Sequence, residues 1–153
     1  MEGKGRFAED DRIEELFQAL AADRPDDFRH GCSDQLLITL RGTSSTTTTL
    51  AVHQLRAWWD GLRSLTGGTL GTEVVLAMTT GPSQLVVLRH TFFLDGTVRQ
   101  YDTVNSCTFR DGLLVAWFSR PLDRREYAEA WGIPDSDLGS VKTRARMVDS
   151  ATA

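Results

Sequence analysis

The sequence is poor in the residues that mark several classes of protein. Its 153 residues include only two cysteines and three histidines. Cys32 and Cys107 are far apart and have no paired spacing, which favours reduced thiols over a disulfide framework or a zinc site. The histidines have no carboxylate partners at helical or strand spacing, so no metal is predicted. A net charge of −4 offers a phosphate backbone no positive field, so no nucleic-acid partner is expected.

Long hydrophobic runs are also missing. No apolar run approaches the roughly 18 residues of a membrane span, and the first eleven residues lack the apolar core of a signal peptide. We therefore expect no membrane partner and a cytoplasmic location. The glycine-rich stretch 66–73 lacks the lysine of a phosphate loop, and no cofactor is predicted. The length suits a single domain.

Helical periodicity occurs in three stretches before residue 68. Apolar residues repeat at helical spacing from Ile13 to Leu20 and again from Val52 to Leu62. Between them, a short helix is predicted to begin near Pro25 and to end at Gly31. Residues 1–7 are expected to be a flexible N-terminus, residues 8–132 a single domain, and residues 133–153 a polar C-terminal tail.

Strand patterns dominate the second half. A first strand is predicted over 36–40, and the hydroxyl-rich stretch 42–49 is predicted to be a loop. Four further strands are predicted, joined by turns at Gly81-Pro82, Asp95-Gly96 and Asp111-Gly112; they span 73–80, 84–94, 97–109 and 113–120. The order predicts an α+β fold, with three N-terminal helices packed on a strongly curved, mainly antiparallel sheet that forms a cone with an internal cavity.

The Asp-Gly turns predict which side chains face that cavity. A two-residue turn at Asp95-Gly96 places His90 opposite Tyr101. A three-residue turn at 110–112 would place Asn105 opposite Trp117 and Thr103 opposite Ser119. The predicted inner wall then consists of His90, Phe92, Tyr101, Thr103, Asn105, Cys107, Trp117 and Ser119.

The opposite face of the predicted sheet is unusually apolar for a solvent-exposed surface. Arg89, Asp102 and Arg120 are placed there beside large hydrophobic residues, namely Leu85, Val87, Phe93, Val104, Leu114 and Phe118. An uncovered face of this kind is typical of an interface, so the sequence predicts a homodimer formed through the outer sheet face.

The order of elements, together with "FRDGLLVAWFSRPLD" from Phe109 to Asp123, resembles the nuclear transport factor two-like superfamily and its SnoaL-like branch. That branch closes with an Arg-Asp-Gly hairpin, an apolar strand, and an Asp before a terminal helical turn. The resemblance covers about residues 8–132 and implies a cone-shaped cavity and frequent homodimers. Members include polyketide cyclases, ketosteroid isomerase, limonene epoxide hydrolase and proteins without a known reaction.

The sequence departs from this family at the positions that carry its chemistry. Where ketosteroid isomerase-like members have an acidic base after the first strand, this chain has Thr39, Leu40 and Arg41. The family's carboxylic acid on the penultimate strand falls near Asn105, which can donate a hydrogen bond but cannot release a proton. No family mechanism therefore transfers intact.

The candidate catalytic residues are His90, Tyr101 and Asn105. His90 can move a proton near neutral pH, while Tyr101 and Asn105 can bind developing negative charge on oxygen. The alternative is a hydrogen-bonded structural group in the core. The candidate substrate-binding residues are predicted to line the cavity: Trp59, Phe92, Thr103, Cys107, Trp117 and Ser119. Asp102 and Asp123 would act as acids only if the register differed; otherwise Asp102 forms a surface ion pair and Asp123 a helix cap.

These residues predict a cofactor-independent tailoring enzyme, a cyclase or isomerase, that folds a hydrophobic small molecule of natural-product type in the cavity. One alternative is a non-catalytic ligand-binding or interaction module. A second alternative is an epoxide hydrolase or epoxide-opening cyclase, which needs an acid pair such as Asp102 and Asp123 inside the pocket.

Overall fold

The structure, a computed structural model, describes residues 2–42, 47–80 and 83–133, with side chains described from residue 12 onward except at residue 80. The predicted turn at Gly81-Pro82, part of the hydroxyl-rich stretch, and the predicted tail beyond Ile133 lie outside the described residues. Among the described helices, none is both long and apolar enough to cross a membrane.

Four α-helices are described. They are α1 (Glu2–Ala21), α2 (Pro25–His30), α3 (Leu55–Leu65) and α4 (Arg124–Trp131), and a 3₁₀ turn at Val52–Gln54 leads into α3. Helix α1 buries Ile13, Phe17 and Leu20 fully, as their helical spacing predicts. It begins at Glu2, earlier than the sequence predicted. Pro25 occupies the first turn of α2, where its missing N–H costs no helical hydrogen bond.

Six strands form one mixed sheet. They are β1 (Cys32–Arg41), β2 (Thr47–Ala51), β3 (Gly71–Thr80), β4 (Ser83–Leu94), β5 (Thr97–Arg110) and β6 (Leu113–Pro121), arranged in the order β2-β1-β6-β5-β4-β3. All pairs are antiparallel except β1 with β6, which are parallel. The helices pack on this curved, open sheet, which confirms the predicted α+β cone.

Strand β2 was not predicted, because residues 47–49 were assigned to a loop. Its threonines pair with β1 in an antiparallel ladder from Arg41↔Thr47 to Leu37↔Ala51. Threonine is β-branched and therefore packs well on a pleated strand, and the ladder satisfies the backbone groups that its hydroxyls would otherwise bind. Only Leu50 of this strand is buried, so its sequence carries almost no hydrophobic alternation.

The register of β4 and β5 is as predicted. Asp95 and Gly96 both have positive φ, at 52° and 73°, as the tight hairpin turn requires. Leu94 pairs with Thr97, and His90 pairs with Tyr101 four residues further along the ladder. The side chains assigned to the inner face of these two strands are accordingly buried.

The predicted register of β5 and β6 is wrong by two residues. Arg110 pairs with Leu113, so the turn has two residues rather than three. An extra residue, Val115, then bulges out of β6 between the pairs Phe109↔Leu114 and Thr108↔Ala116. Asn105 therefore lies opposite Ser119, Cys107 opposite Trp117, and Thr103 opposite Pro121.

A shift of two residues keeps each side chain on its face, so Trp117 and Ser119 still point inward. The bulge reverses the face only for residues before it. Leu114, predicted to face outward, is fully buried in the core for this reason. Trp117 packs edge-on against Phe17 of α1, with ring centroids 5.2 Å apart.

Candidate functional site

A pocket lies between the concave face of the sheet and the helices α1, α3 and α4. Its open space is about 80 Å³. At roughly 10–15 Å³ per water-sized group, this accommodates a small molecule or one part of a larger one. The wall consists of Leu20, Leu40, Arg41, Gly42, Trp58, Trp59, Leu62, Leu88, His90, Tyr101, Thr103, Asn105, Trp117, Ser119, Pro121, Tyr127 and Trp131.

His90 lies in this wall with both ring nitrogens engaged. Nδ1 is 3.0 Å from Thr72 Oγ1 on β3, and Nε2 is 3.1 Å from Thr103 Oγ1 on β5. Burial lowers the pKa of His90 to about 4, an effect that the Asp102 carboxylate on the other face opposes. The imidazole is therefore neutral at pH 7 and is not a source of protons there.

Tyr101 stacks on His90, with ring centroids 4.8 Å apart and planes 29° apart. Burial raises the pKa of Tyr101 above its ordinary value; the neighbouring Tyr127 raises it further, and Trp131 acts in the opposite direction. The phenol therefore keeps its proton at neutral pH and can donate a hydrogen bond into the pocket.

Asn105 has no exposed surface and uses both ends of its amide within the protein. Its Oδ1 accepts a hydrogen bond from Trp117 Nε1 at 2.8 Å. Its Nδ2 lies 3.1 Å from Thr103 Oγ1 and 3.3 Å from the Val86 carbonyl oxygen. These bonds occupy the amide, so its geometry favours holding Thr103 and Trp117 in place over binding a substrate oxygen.

These contacts join into one hydrogen-bonded network that runs across four strands and is buried except at Thr72. One direction of donation satisfies each group in turn. Trp117 donates to Asn105, Asn105 donates to Thr103, and Thr103 donates to His90 Nε2. His90 then carries its hydrogen on Nδ1 and donates to Thr72.

The predicted binding residues divide between the pocket wall and the core behind it. Trp59, Thr103, Trp117 and Ser119 line the pocket, whereas Phe92 and Cys107 do not. Phe92 is buried and stacks on Trp131 at 4.6 Å. Cys107 is fully buried, and burial raises its pKa, so it is an unreactive free thiol.

The two carboxylates considered as acids both lie outside the pocket. Asp102 faces the outer side of the sheet and binds Arg89 through two hydrogen bonds of 3.0 and 3.2 Å. Asp123 caps α4 by accepting from the backbone N–H groups of Arg125 and Glu126. The condition on which their acid role depended is not met, because the register of β4 and β5 is as predicted.

Several wall residues were missed in the sequence. Tyr127 and Trp131 come from α4, whose position over the end of the sheet only the fold reveals. Trp58 lines the pocket beside Trp59, and its ring centroid lies 6.1 Å from that of Trp117 on the sheet. Arg41 is the one charged side chain in the described wall, because His90 is neutral and the wall contains no Asp or Glu.

In the described part of the chain, no three His, Cys, Asp or Glu side chains lie close enough to share a metal ion. The polar groups of the wall are hydroxyls, one imidazole, one amide, indoles and one guanidinium. This set can hold and polarise an oxygen-bearing ligand through hydrogen bonds.

Comparison with known proteins shows similarity in structure only. No protein-family model matches the chain, and no curated protein matches it. Among solved structures, the chain is similar to IdmH from Streptomyces antibioticus, assigned as a candidate polyketide cyclase. The identity is 16%, the TM-score is 0.64, and the match covers 80% of this chain and 96% of IdmH.

Two further structures share the fold. TerC, co-crystallised with polyporic acid, is 19% identical with a TM-score of 0.60, and 79% of this chain and 98% of TerC are covered. An LEH-like epoxide hydrolase from M. tuberculosis is 13% identical with a TM-score of 0.60, and 84% and 92% are covered. At these identities the similarity confirms the predicted α+β cone fold, and the reaction is not carried over.

Proposed function

We propose that the protein is a cofactor-independent tailoring enzyme, a cyclase or isomerase, acting on a hydrophobic small molecule of natural-product type. The observation that carries the proposal is the stacked pair His90 and Tyr101 in the wall of an aromatic pocket. The fold shared with IdmH supports a cyclase-type role at the level of architecture.

Holding the substrate in a folded shape supplies most of the proposed rate increase. Trp59, Trp117 and the other wall aromatics restrict the substrate to a few conformations, and such orientation lowers a barrier by several kcal/mol. The Tyr101 hydroxyl donates to a substrate oxygen as negative charge develops on it. Thr103 and Ser119 contribute hydroxyls at the wall.

His90 acts through Thr103 as the proton acceptor. A proton leaves a substrate carbon beside a carbonyl and passes to Thr103 Oγ1, while the Thr103 hydroxyl proton passes to His90 Nε2, 3.1 Å away. Both transfers reverse at a second carbon, so no co-reactant is consumed. Because the pKa of His90 is about 4, protonating its imidazole at pH 7 costs on the order of 4 kcal/mol. Proton transfer therefore contributes less to the rate increase than orientation does. Asn105 is a positioning residue for Thr103.

The alternative of a non-catalytic ligand-binding module rests on one observation. The ring nitrogens of His90 and both ends of the Asn105 amide already have partners within the protein. Satisfied buried groups of this kind are typical of a structural network. The epoxide-opening alternative is less supported, because no carboxylate lies in the described pocket wall.

The test follows proton exchange in the ligand that co-purifies with the protein. Mass spectrometry identifies this ligand, and incubation in D₂O then measures its deuterium uptake. The proposal expects protein-dependent uptake that falls by ~10²-fold in Tyr101→Phe, which removes the donor and keeps the ring. The outward neighbour provides the control, because Gln100→Ala should leave uptake unchanged. A bound ligand that takes up no deuterium would instead support the binding module.

We also propose a homodimer through the outer sheet face. Leu37, Phe93 and Val98 face outward there and are each more than half exposed, beside the half-buried Val87 and Val104. An apolar surface of this extent is typical of an interface. Val104→Asp places a charge at the centre of this face, and light scattering should show the mass fall from dimer to monomer. A monomeric wild-type protein at about 100 µM contradicts the proposal.

A further inference from the structure

The indole of Trp131 has a hydrogen-bond donor that the fold leaves unused. Trp131 lies at the end of α4 and lines the pocket, and its Nε1 is buried. Among the described residues this N–H has no hydrogen-bond partner. A buried donor without a partner costs free energy, so such groups are rare unless a ligand or water completes them.

The other indole N–H groups whose bonds are described provide a contrast. Trp59 donates to Asp23 Oδ1 at 3.3 Å, and Trp117 donates to Asn105 Oδ1 at 2.8 Å. Both indoles line the same pocket but direct their N–H groups into the protein. Trp131 differs from them because its donor is not used to hold the fold.

Tyr101 brings a second donor to the same place. The rings of Tyr101 and Trp131 lie 6.0 Å apart and are tilted by 55°. The Trp131 side chain lowers the pKa of the phenol against the larger effect of burial, although the two groups form no direct hydrogen bond. The hydroxyl and the indole N–H therefore lie near each other at one end of the pocket.

The rigid attachment of α4 holds this pair in place. Trp131 stacks on buried Phe92 at 4.6 Å, and the carbonyl oxygen of Glu129 accepts a hydrogen bond of 2.8 Å from Arg99. The backbone N–H of Asp102 donates to Glu126 Oε1 at 2.9 Å. These contacts fix both ends of the helix turn that carries the indole, so the donor does not have to be ordered when a ligand binds.

We propose that Trp131 Nε1–H and the Tyr101 hydroxyl form a subsite that binds one acceptor oxygen of the ligand, a ketone, enolate or phenolate oxygen. The subsite rests on the proposed function only in that the pocket takes a small molecule. It names the class of ligand, an aromatic or alicyclic ring with an oxygen acceptor at one end, and adds Trp131 as a specificity-determining residue.

The charge of the wall agrees with this class of ligand. The described wall has one cation, Arg41, and no carboxylate, so it favours an electron-rich or anionic ligand over an amine. A ligand without an acceptor would leave both donors desolvated and unpaired, and binding sites discriminate strongly against such ligands.

The test compares two probes of the same shape, acetophenone and α-methylstyrene, in which a CH₂ group replaces the carbonyl oxygen. Binding to the full-length protein is followed through the four indole N–H resonances in ¹H–¹⁵N spectra, and Trp131→Phe assigns one of them. Acetophenone should bind about 3- to 10-fold more tightly than α-methylstyrene, the value of one net hydrogen bond. The Trp131 resonance should move downfield with acetophenone only.

Trp131→Phe should reduce the preference for acetophenone, since it removes one of the two donors and keeps a ring against Phe92. Combining it with Tyr101→Phe removes the second donor and should bring the two probes to equal affinity. Trp59→Phe is the matched control: its N–H is already bonded to Asp23, so this change should weaken both probes alike. The spectral shift in the wild-type protein tests the subsite even if a variant fails to fold.

The outcomes separate the two proposals. If both probes bind equally to the wild-type protein and the Trp131 resonance does not move, the subsite is wrong and the ligand-binding pocket stands. If neither probe binds, both proposals fail.

Discussion

Two residue pairs at neighbouring positions of the same ladder have opposite chemistry. His90 and Tyr101 are stacked, buried and neutral on the inner face of β4 and β5. One position along, Arg89 and Asp102 form a charged pair on the outer face, where the arginine side chain is 37% exposed. Successive side chains of a strand point to opposite faces of the sheet. Neighbouring residues can therefore lie in an uncharged interior and in a charged outer pair.

The difference shows which face can carry chemistry. The outer pair can satisfy its charges with each other and with solvent, and it needs no further partner. Burial suppresses the ionisation of His90 and Tyr101, so both side chains act as neutral hydrogen-bonding groups. Four experiments test this contrast, beginning with the largest expected effect.

Asn105→Ala should lower the free energy of unfolding by about 2–4 kcal/mol, because it leaves the buried Trp117 N–H unpaired and opens a small cavity. Urea unfolding measures the loss. Its outward neighbour provides the comparison, and Ser106→Ala should change stability by no more than ~0.5 kcal/mol. Equal losses in the two variants would mean that the inner hydrogen-bond network contributes no more to stability than the outer face does.

Acid should destabilise the protein through His90. Its pKa is about 4 when folded and about 6.5 when unfolded, so the unfolded chain binds more protons between these values. The contribution of His90 is therefore complete above pH 6.5 and is lost as the pH falls towards 4, by about 3 kcal/mol. In His90→Gln this part of the pH dependence should disappear. Exposed His53 is the control, and His53→Gln should keep the wild-type slope.

Asp123→Ala should cost about 1 kcal/mol, because two N–H groups at the start of α4 lose their acceptor. Asp123→Asn keeps an acceptor and should recover most of this loss in thermal unfolding. If Asp123 were instead an acid in the pocket, Asp123→Asn would abolish turnover while leaving stability intact.

Breaking the outer pair should have the smallest effect. Asp102→Asn should lower the melting temperature by roughly 1–2 °C, about 0.5 kcal/mol, as expected for a partly exposed ion pair, and 1 M NaCl should reduce the difference. It should leave the acetophenone affinity unchanged, because Asp102 faces away from the pocket. A weaker acetophenone affinity in Asp102→Asn would show that the Arg89–Asp102 pair influences binding in the pocket.

The local part of the fold was accessible from the sequence. The Asp95-Gly96 turn and the alternation around it were enough to place His90 opposite Tyr101. The register of the second hairpin could not be predicted, because no residue type marks the bulge at Val115. A two-residue turn followed by a bulge and a three-residue turn are both compatible with this sequence. Strand β2 was missed because polar threonines signal loops and strands equally well.

The candidate site was accessible only in part. The inward positions on β4 and β5 follow from period two, and Asp102 and Asp123 have the surface and cap roles weighed for them. The pairing of hydrogen bonds does not follow, since the partners Thr72 and Trp117 lie on strands distant in sequence. Trp131 was missed because a short helix after the last strand has no pattern that tells where it docks.

The parallel pairing of β1 with β6 has a consequence for how the chain folds. Ile38 lies beside Trp117, so the first strand meets its neighbour only after almost the whole domain has been synthesised. Until then the hairpin of β1 and β2 leaves the ribosome with one backbone edge open and Ile38 without its final packing. Contacts so distant along the chain slow folding, so we expect refolding in milliseconds to seconds and a nascent chain that benefits from a chaperone.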